Sequence, residues 1–199
     1  MERGKNIERA AACIKQGGIV AYPTEGVFGL GCDPDNEKAL KRLINLKQRS
    51  NNKGLIIIAA CREQLDSYIA PVGESVEKQL KATWPGPVTW ILTASTTLSR
   101  TEPSSATAST ATTTALLTGN RDTVATRVTL HETAAKLCLT CGHAIVSTSA
   151  NLSGQESCID AQSVADCFGD NIDYLLDLPV GNLQHPTPIF DGATGEQLR

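Results

Sequence analysis

A chain of 199 residues with 41% apolar and 20% charged side chains has the size and composition of one globular domain, neither disordered nor collagen-like. Eighteen Lys and Arg against 21 Asp and Glu give a net charge of −3, which excludes a histone-like protein that coats nucleic acid by bulk charge. Aromatics at 4% argue against a stacking platform for single-stranded nucleic acid and leave the core to Val, Ile, Leu and Ala.

Strand and helix patterns alternate along the chain. Ile7, Ala10, Ala11 and Ile14 lie at helical spacing and predict a first helix ended by Gly17 and Gly18. Residues 18–22 predict an apolar strand running into Pro23-Thr24-Glu25. The glycines at 26, 29 and 31 behind it read as a turn, because GxGxxG spacing with an acidic partner is absent. Leu40, Leu43 and Ile44 form the stripe of a second helix, with Lys38, Lys41 and Arg42 off it and Asp35 or Asn36 as its cap. Residues 55–60 predict a second buried strand. Residues 64–69 and 75–82 read as helical, 88–92 and 124–129 as strands, and 133–139 as a helix stopped by Gly142. A strand at 144–147 enters a loop of small polar residues. A helix follows at 164–168, then short strands at 174–178 and 188–191. Continuous apolar strands between helices predict a single α/β domain over residues 1–199, its sheet covered on both faces and not all of its connections parallel. Residues 93–118 interrupt the pattern. Fourteen of the 23 residues from Thr93 to Ala115 are Ser or Thr, so the segment reads as a mobile surface loop or lid, or as an insertion without a role.

The N-terminus lacks a signal-peptide pattern and no apolar run approaches the ~20 residues of a membrane span, so a cytoplasmic protein without membrane contact is expected. Seven scattered Cys fit reduced thiols. The one CxxC, Cys138 and Cys141, closes a helix instead of opening one and has no second pair. It reads as structural, not redox or zinc-binding. His131, His143 and His185 do not pair at ligand spacing, so no protein-held metal is expected. Residues 1–60 carry ten bases and six acids, and the stretch from Lys38 to Lys53 contains no acid. A helix face accounts for part of that run, but Lys47, Arg49 and Lys53 lie at its end and beyond.

Four segments place polar groups where strands end, the usual crevice of α/β sheets. They are Pro23-Thr24-Glu25, Lys47-Gln48-Arg49 with Lys53, residues 123–127, and Ser147-Thr148-Ser149-Ala150-Asn151. Small hydroxyl and amide side chains after a buried strand let backbone N–H groups approach a polyphosphate. The same residues also satisfy their own backbone in a Ser/Thr turn. Lys47 and Arg49 supply the cations such a loop lacks. Neither a Walker A motif nor a GxSxG elbow is present.

The strings GGIVAYPTEGVFGLGCDP, LKQRSNNKGLIIIA, WPGPVTWIL, VATRVTLH and IVSTSANLSG, in this order, resemble the YrdC-like L-threonylcarbamoyladenylate synthases over nearly the whole chain. The likeness is to the short bacterial form without a second domain. It implies a twisted, open mixed sheet flanked by helices, with a concave basic cavity. It implies condensation of L-threonine, bicarbonate and ATP to threonylcarbamoyl-AMP with release of pyrophosphate, Mg²⁺ travelling with the nucleotide. The product feeds threonylcarbamoyl modification of the adenosine beside the anticodon in ANN-decoding tRNAs, completed by a separate transferase complex. The family's KxR motif falls on Lys47 and Arg49 and its SxN motif on Ser149 and Asn151. These, with Ser147, Thr123 and Arg199, are implied for ATP. Thr24, Lys53, Arg127 and Thr187 are implied for threonine, Arg127 through its carboxylate. Ser50, Lys53 and Gly54 stand where many relatives have Pro and then His-Pro. Two other readings stay open: a non-catalytic module gripping tRNA through the basic run, and carbamoyl-adenylate transfer to another acceptor.

Overall fold

The computed structural model describes residues 1–96, 108–183 and 187–199. Its strands are β1 (Glu2–Gly4), β2 (Val20–Pro23), β3 (Phe28–Gly31), β4 (Ile56–Ala59), β5 (Thr89–Thr93), β6 (Thr123–Val128), β7 (Ile145–Ser149), β8 (Tyr174–Leu176) and β9 (Ile189–Asp191). Its helices are α1 (Ile7–Lys15), α2 (Glu37–Leu46), α3 (Glu74–Thr83), α4 (Ala108–Thr118), α5 (Glu132–Cys141) and α6 (Ala161–Phe168). All the strands join one mixed sheet in the order β1-β8-β2-β3-β7-β4-β6-β5-β9. The central β7 pairs antiparallel with β3 and β4, while β4 and β6 run parallel. No helix among the described residues is long and apolar enough to cross a membrane.

The two faces of the sheet are covered unequally. On one, Leu40, Leu43 and Ile44 of α2, Leu80 of α3, Leu116 and Leu117 of α4, and Val164 and Phe168 of α6 pack with Ala21, Leu30, Ile57, Leu92 and Val124. On the other, Ala10, Ala11 and Ile14 of α1 and Ala134, Leu137 and Cys138 of α5 pack on Val20, Tyr22, Ile58, Ile145 and Tyr174. This second cluster takes no residue from β5, β6 or β9. Strands at that end are apolar on one face only: Val124 and Val128 are buried, whereas Thr123, Ala125 and Arg127 between and beside them line a cavity. The expectation of a sheet covered on both faces therefore holds for half of it, and the open half is where the site lies.

Residues 28–31, read as a turn, form β3. Phe28 and Leu30 enter the core and alternate with Gly29 and Gly31, and neighbouring strands crowd the second of these. A Cβ at Gly31 would stand 2.4 Å from the Val146 carbonyl oxygen and 2.7 Å from Tyr22 Cε1. Gly31→Ala is therefore expected to destabilise the fold by roughly 1–3 kcal/mol, since buried backbone cannot give way as a side-chain tip does. Urea unfolding of the variant beside wild type measures it.

Residues 64–69 were expected to be helical and instead form a 3-10 turn at Arg62–Leu65. Ala70 N then donates to Thr93 O at 2.9 Å and Ile69 bridges Ala94, so the edge of β5 draws the chain out of helical geometry. Residues 108–118, placed in a loop by their Ser and Thr content, form α4. Leu116 and Leu117 are its anchors, and Leu55 N donates to Leu117 O at 2.8 Å. The rest of that Ser/Thr-rich stretch, residues 97–107, lies outside the described residues, as does His185. β1 carries no strand signal of its own. It is an edge strand of charged sequence held by parallel pairing with β8. Asn36 caps α2, accepting from Ala39 N at 3.0 Å. Cys138 and Cys141 sit at the buried end of α5, where burial raises both thiols, Cys141 to about 11.

Candidate active site

The KxR segment is the C-terminal cap of α2. Arg49 N donates to Ile44 O at 3.1 Å and Gln48 N to Asn45 O at 3.0 Å, the paired bonds of a Schellman ending. Such an ending needs a left-handed residue at its turn, and Gln48 takes that place with φ 49° where glycine is usual. The reversal sends Lys47 and Arg49 to one region from adjacent sides.

Lys47 is 3% exposed, and its ammonium is fully engaged by the loop after β7. It donates to Ser149 O, to Asn151 O at 2.7 Å and to Asn151 Oδ1 at 3.0 Å. Ser149 Oγ donates to the same Oδ1 at 2.6 Å, and Asn151 Nδ2 to Gln155 O at 2.7 Å. A lysine has three N–H groups, so nothing is left over. Burial first, and then the like charge of Arg49, push Lys47 down from 10.5 to about 8, against the thiols of Cys158 and Cys167, which raise it. The neutral amine has two N–H groups for three acceptors. Activity is therefore expected to fall on the alkaline side with a midpoint near that value. Lys47's contribution to folding stability runs the other way: it rises with pH between about 8 and 10.5, where the unfolded chain binds the extra proton. A pH–rate profile beside thermal melts separates these, and a melt that follows the activity loss contradicts the loop-local account.

A cavity of about 1300 Å³ opens over the uncovered half of the sheet. Alternate residues of β6 and β9 line it, Thr123, Ala125 and Arg127 of the first and Ile189 and Asp191 of the second, together with Ser147, Thr148 and Ser149 at the end of β7. Arg49, Lys53, Arg121, Arg127 and Arg199 give it five cations against Glu156 and Asp191. Arg49 Nη2 donates to Gly54 O at 3.0 Å, and its buried Nε has no protein partner. Arg127 is 4% exposed and braced on both sides: Nη1 donates to Thr187 Oγ1 at 3.1 Å, and Nη2 lies 3.3 Å from Glu25 Oε2. Arg199 Nη2 donates to Thr187 O at 3.1 Å, so Thr187 joins both guanidiniums. Thr24 closes the β2–β3 hairpin, Oγ1 donating to Val27 O at 2.7 Å, and faces the same space.

Of the residues implicated from sequence, Thr24, Arg49, Lys53, Thr123, Arg127, Ser147, Ser149, Asn151, Thr187 and Arg199 all line this one cavity. Lys47 does not; it sits behind the loop it ties. The residues converge from loops at strand ends, Thr24, Arg49, Lys53 and Asn151, and from the open sheet face, Arg127 and Ser147.

The chain matches the family model for Sua5, YciO and YrdC proteins, described as telomere recombination, over residues 12–199. The chain belongs to the Sua5/YciO/YrdC family. Among curated relatives of this family, the threonylcarbamoyl-AMP synthase of Nitrosococcus oceani is 45% identical over 97% of this chain and 96% of its own. That of Vibrio vulnificus is 46% identical over 98% and 97%. The structure of P. abyssi Sua5 complexed with L-threonine superposes with a TM-score of 0.81 at 34% identity, covering 96% of this chain and 53% of that one, so the chain spans about half of Sua5. Escherichia coli YciO shares the fold, with a TM-score of 0.75 at 23% identity over 96% of this chain and 87% of its own.

Several features of this Sua5/YciO/YrdC cavity escaped the sequence reading. Arg121 lines it while donating to Asn52 O at 2.9 Å, and a lone base before a strand gave no signal. Ile159 and Leu198, exposed large apolar residues, stand on its wall and make part of it apolar. Glu25 belongs to the hairpin string but its partner Arg127 is remote in sequence.

Proposed function

We propose that this chain makes L-threonylcarbamoyl-AMP from L-threonine, bicarbonate and ATP, releasing pyrophosphate, for threonylcarbamoyl modification of ANN-decoding tRNAs. The observation that carries this is the convergence, in one cavity, of a cation-backed hydroxyl and amide loop with a braced buried arginine. A polyphosphate fits the first and a carboxylate the second. Relatives named threonylcarbamoyl-AMP synthase, alike over their whole length, support it.

The threonine amine takes up the bicarbonate carbon with loss of water, giving N-carboxy-threonine. A carbamate oxygen then forms a bond to the α-phosphorus of ATP as the bond to the pyrophosphate oxygen breaks. The attacking oxygen is already anionic, so no general base is required, and catalysis is positioning with charge neutralisation. Arg49 and Arg199 neutralise the triphosphate, Ser147, Ser149 and Asn151 shape its cradle with Thr123 beside them, and Lys53 offers its cation on the threonine side. Arg127, supported by Thr187, holds the threonine carboxylate, and Thr24 orients the amino acid. Mg²⁺ enters as the counter-ion of ATP; no group of three or more His, Cys, Asp or Glu gathers into a metal cage among the described residues. In this reading the enzyme is cytoplasmic and works upstream of a transferase acting on tRNA.

The basic run does not favour a tRNA-gripping module. Lys41 pairs with Glu37 and Arg42 with Asp173, while Lys47 is turned inward onto loop carbonyls, so three of its six cations are not free to meet an RNA backbone. Incubation with ATP, labelled bicarbonate and each amino acid tests the proposal. Label is expected in a threonine-dependent carbamoyl adenylate; salt-sensitive tRNA binding without ATP turnover would overturn it.

A further inference from the structure

We infer that Glu25 is a positioning residue for the amino-acid subsite: its buried carboxylate fixes the direction in which Arg127 presents its guanidinium to the substrate carboxylate. The inference rests on the function proposed above and adds a residue that does not itself line the cavity.

Glu25 is held at both ends. Its backbone oxygen accepts from Leu183 N at 2.9 Å, and Gly181 and Gly26 lie against the same crossing, where a Cβ would come within 2.5 Å of Glu25 O and 2.3 Å of Leu183 O respectively. Its Oε1 accepts from Thr129 Oγ1 at 2.6 Å, and that hydroxyl is itself oriented by His131 N at 3.2 Å. The other oxygen, Oε2, meets only Arg127 Nη2 at 3.3 Å and has no hydrogen-bond partner. The Glu25 and Arg127 side chains are 10% and 5% exposed.

The guanidinium carries five N–H groups. One is directed to Thr187 and one towards Glu25, while the buried Nε has no partner. An under-satisfied buried cation of this kind is a receptor waiting for an anion. Because Nη1 is held by Thr187 and Nη2 lies against Glu25, the plane of the guanidinium is fixed, the condition for a directed bond to a carboxylate. Glu25 also lowers the net charge of the subsite, which by itself weakens attraction for an anion. Orientation outweighs that loss, since a guanidinium free to turn satisfies itself on nearby carbonyls.

The test is isothermal calorimetry and steady-state kinetics with L-threonine, L-threonine amide and ATP. Glu25→Gln is expected to weaken L-threonine at least ~10-fold, the scale of one charge-assisted bond. It should also shrink the preference for threonine over its amide and leave the KM for ATP within about twofold. Thr129→Val, which removes the hydroxyl brace without touching charge, is expected to shift the same quantities in the same direction by a smaller factor; it decides the matter if the first variant does not fold. Unchanged threonine affinity and selectivity in the variants overturns the inference, as does an equal loss for threonine and ATP. Wild-type protein that binds no threonine would instead overturn the proposed function.

Discussion

Lys47→Ala is expected to lower threonine-dependent pyrophosphate release at least about a hundredfold, although Lys47 does not line the cavity. Truncation removes the donor to Ser149 O, Asn151 O and Asn151 Oδ1 together. Ser149 O keeps Asn151 N and Asn151 Oδ1 keeps Ser149 Oγ, but Asn151 O loses its donor; a stranded acceptor costs roughly 1–3 kcal/mol, and a hundredfold in rate needs about 2.7 kcal/mol. The loop relieves that cost by turning its carbonyls to water, which carries Ser149 and Asn151 out of register. Lys47→Arg is not expected to rescue, because a planar fork cannot replace three bonds converging on one nitrogen in a site 3% exposed. ATP affinity and turnover are both expected to fall while the melting temperature moves little. Turnover close to wild type contradicts the role.

Arg127→Met is expected to abolish threonine binding and also to lower stability by roughly 3–5 kcal/mol, the cost of breaking a buried pair from one side. Glu25 is 8% exposed and would keep its Thr129 bond but lose its counter-charge. For a chain of this length that is a fall in melting temperature of about 6–20 °C. The double variant Glu25→Met with Arg127→Met separates the two effects. Replacing both charges with apolar groups of similar volume is close to neutral, so stability should largely return while threonine binding does not. A double variant that regains binding, or a single variant with full stability, contradicts the pairing.

The α/β class and most element positions were legible because helical stripes such as Leu40, Leu43 and Ile44 and apolar runs such as residues 55–60 repeat over several turns or strands. β3 was hidden because its core residues alternate with Gly29 and Gly31, and Gly31 is demanded by Val146 and Tyr22 on neighbouring strands, not by a local turn. Helix α4 was hidden because its anchors, Leu116 and Leu117, follow a long Ser and Thr stretch. The site was legible as a set of segments, each recognisable by residue type. Its inner arrangement was not. Lys47 and Asn151 are separated by 104 positions and Glu25 and Thr129 by 104, and only the sheet order brings them together. The sequence shows that Lys47 is a cation but not which oxygens take its protons, which decides between touching substrate and holding the loop that does.

The central claim is that one cavity on the uncovered half-face holds nucleotide and amino acid side by side. A crystal structure with a non-hydrolysable ATP analogue and L-threonine measures this directly. The account predicts the triphosphate between Arg49 and the 147–151 loop, and the threonine carboxylate on Arg127. A nucleotide seated outside this cavity, or a threonine away from Arg127, would contradict it.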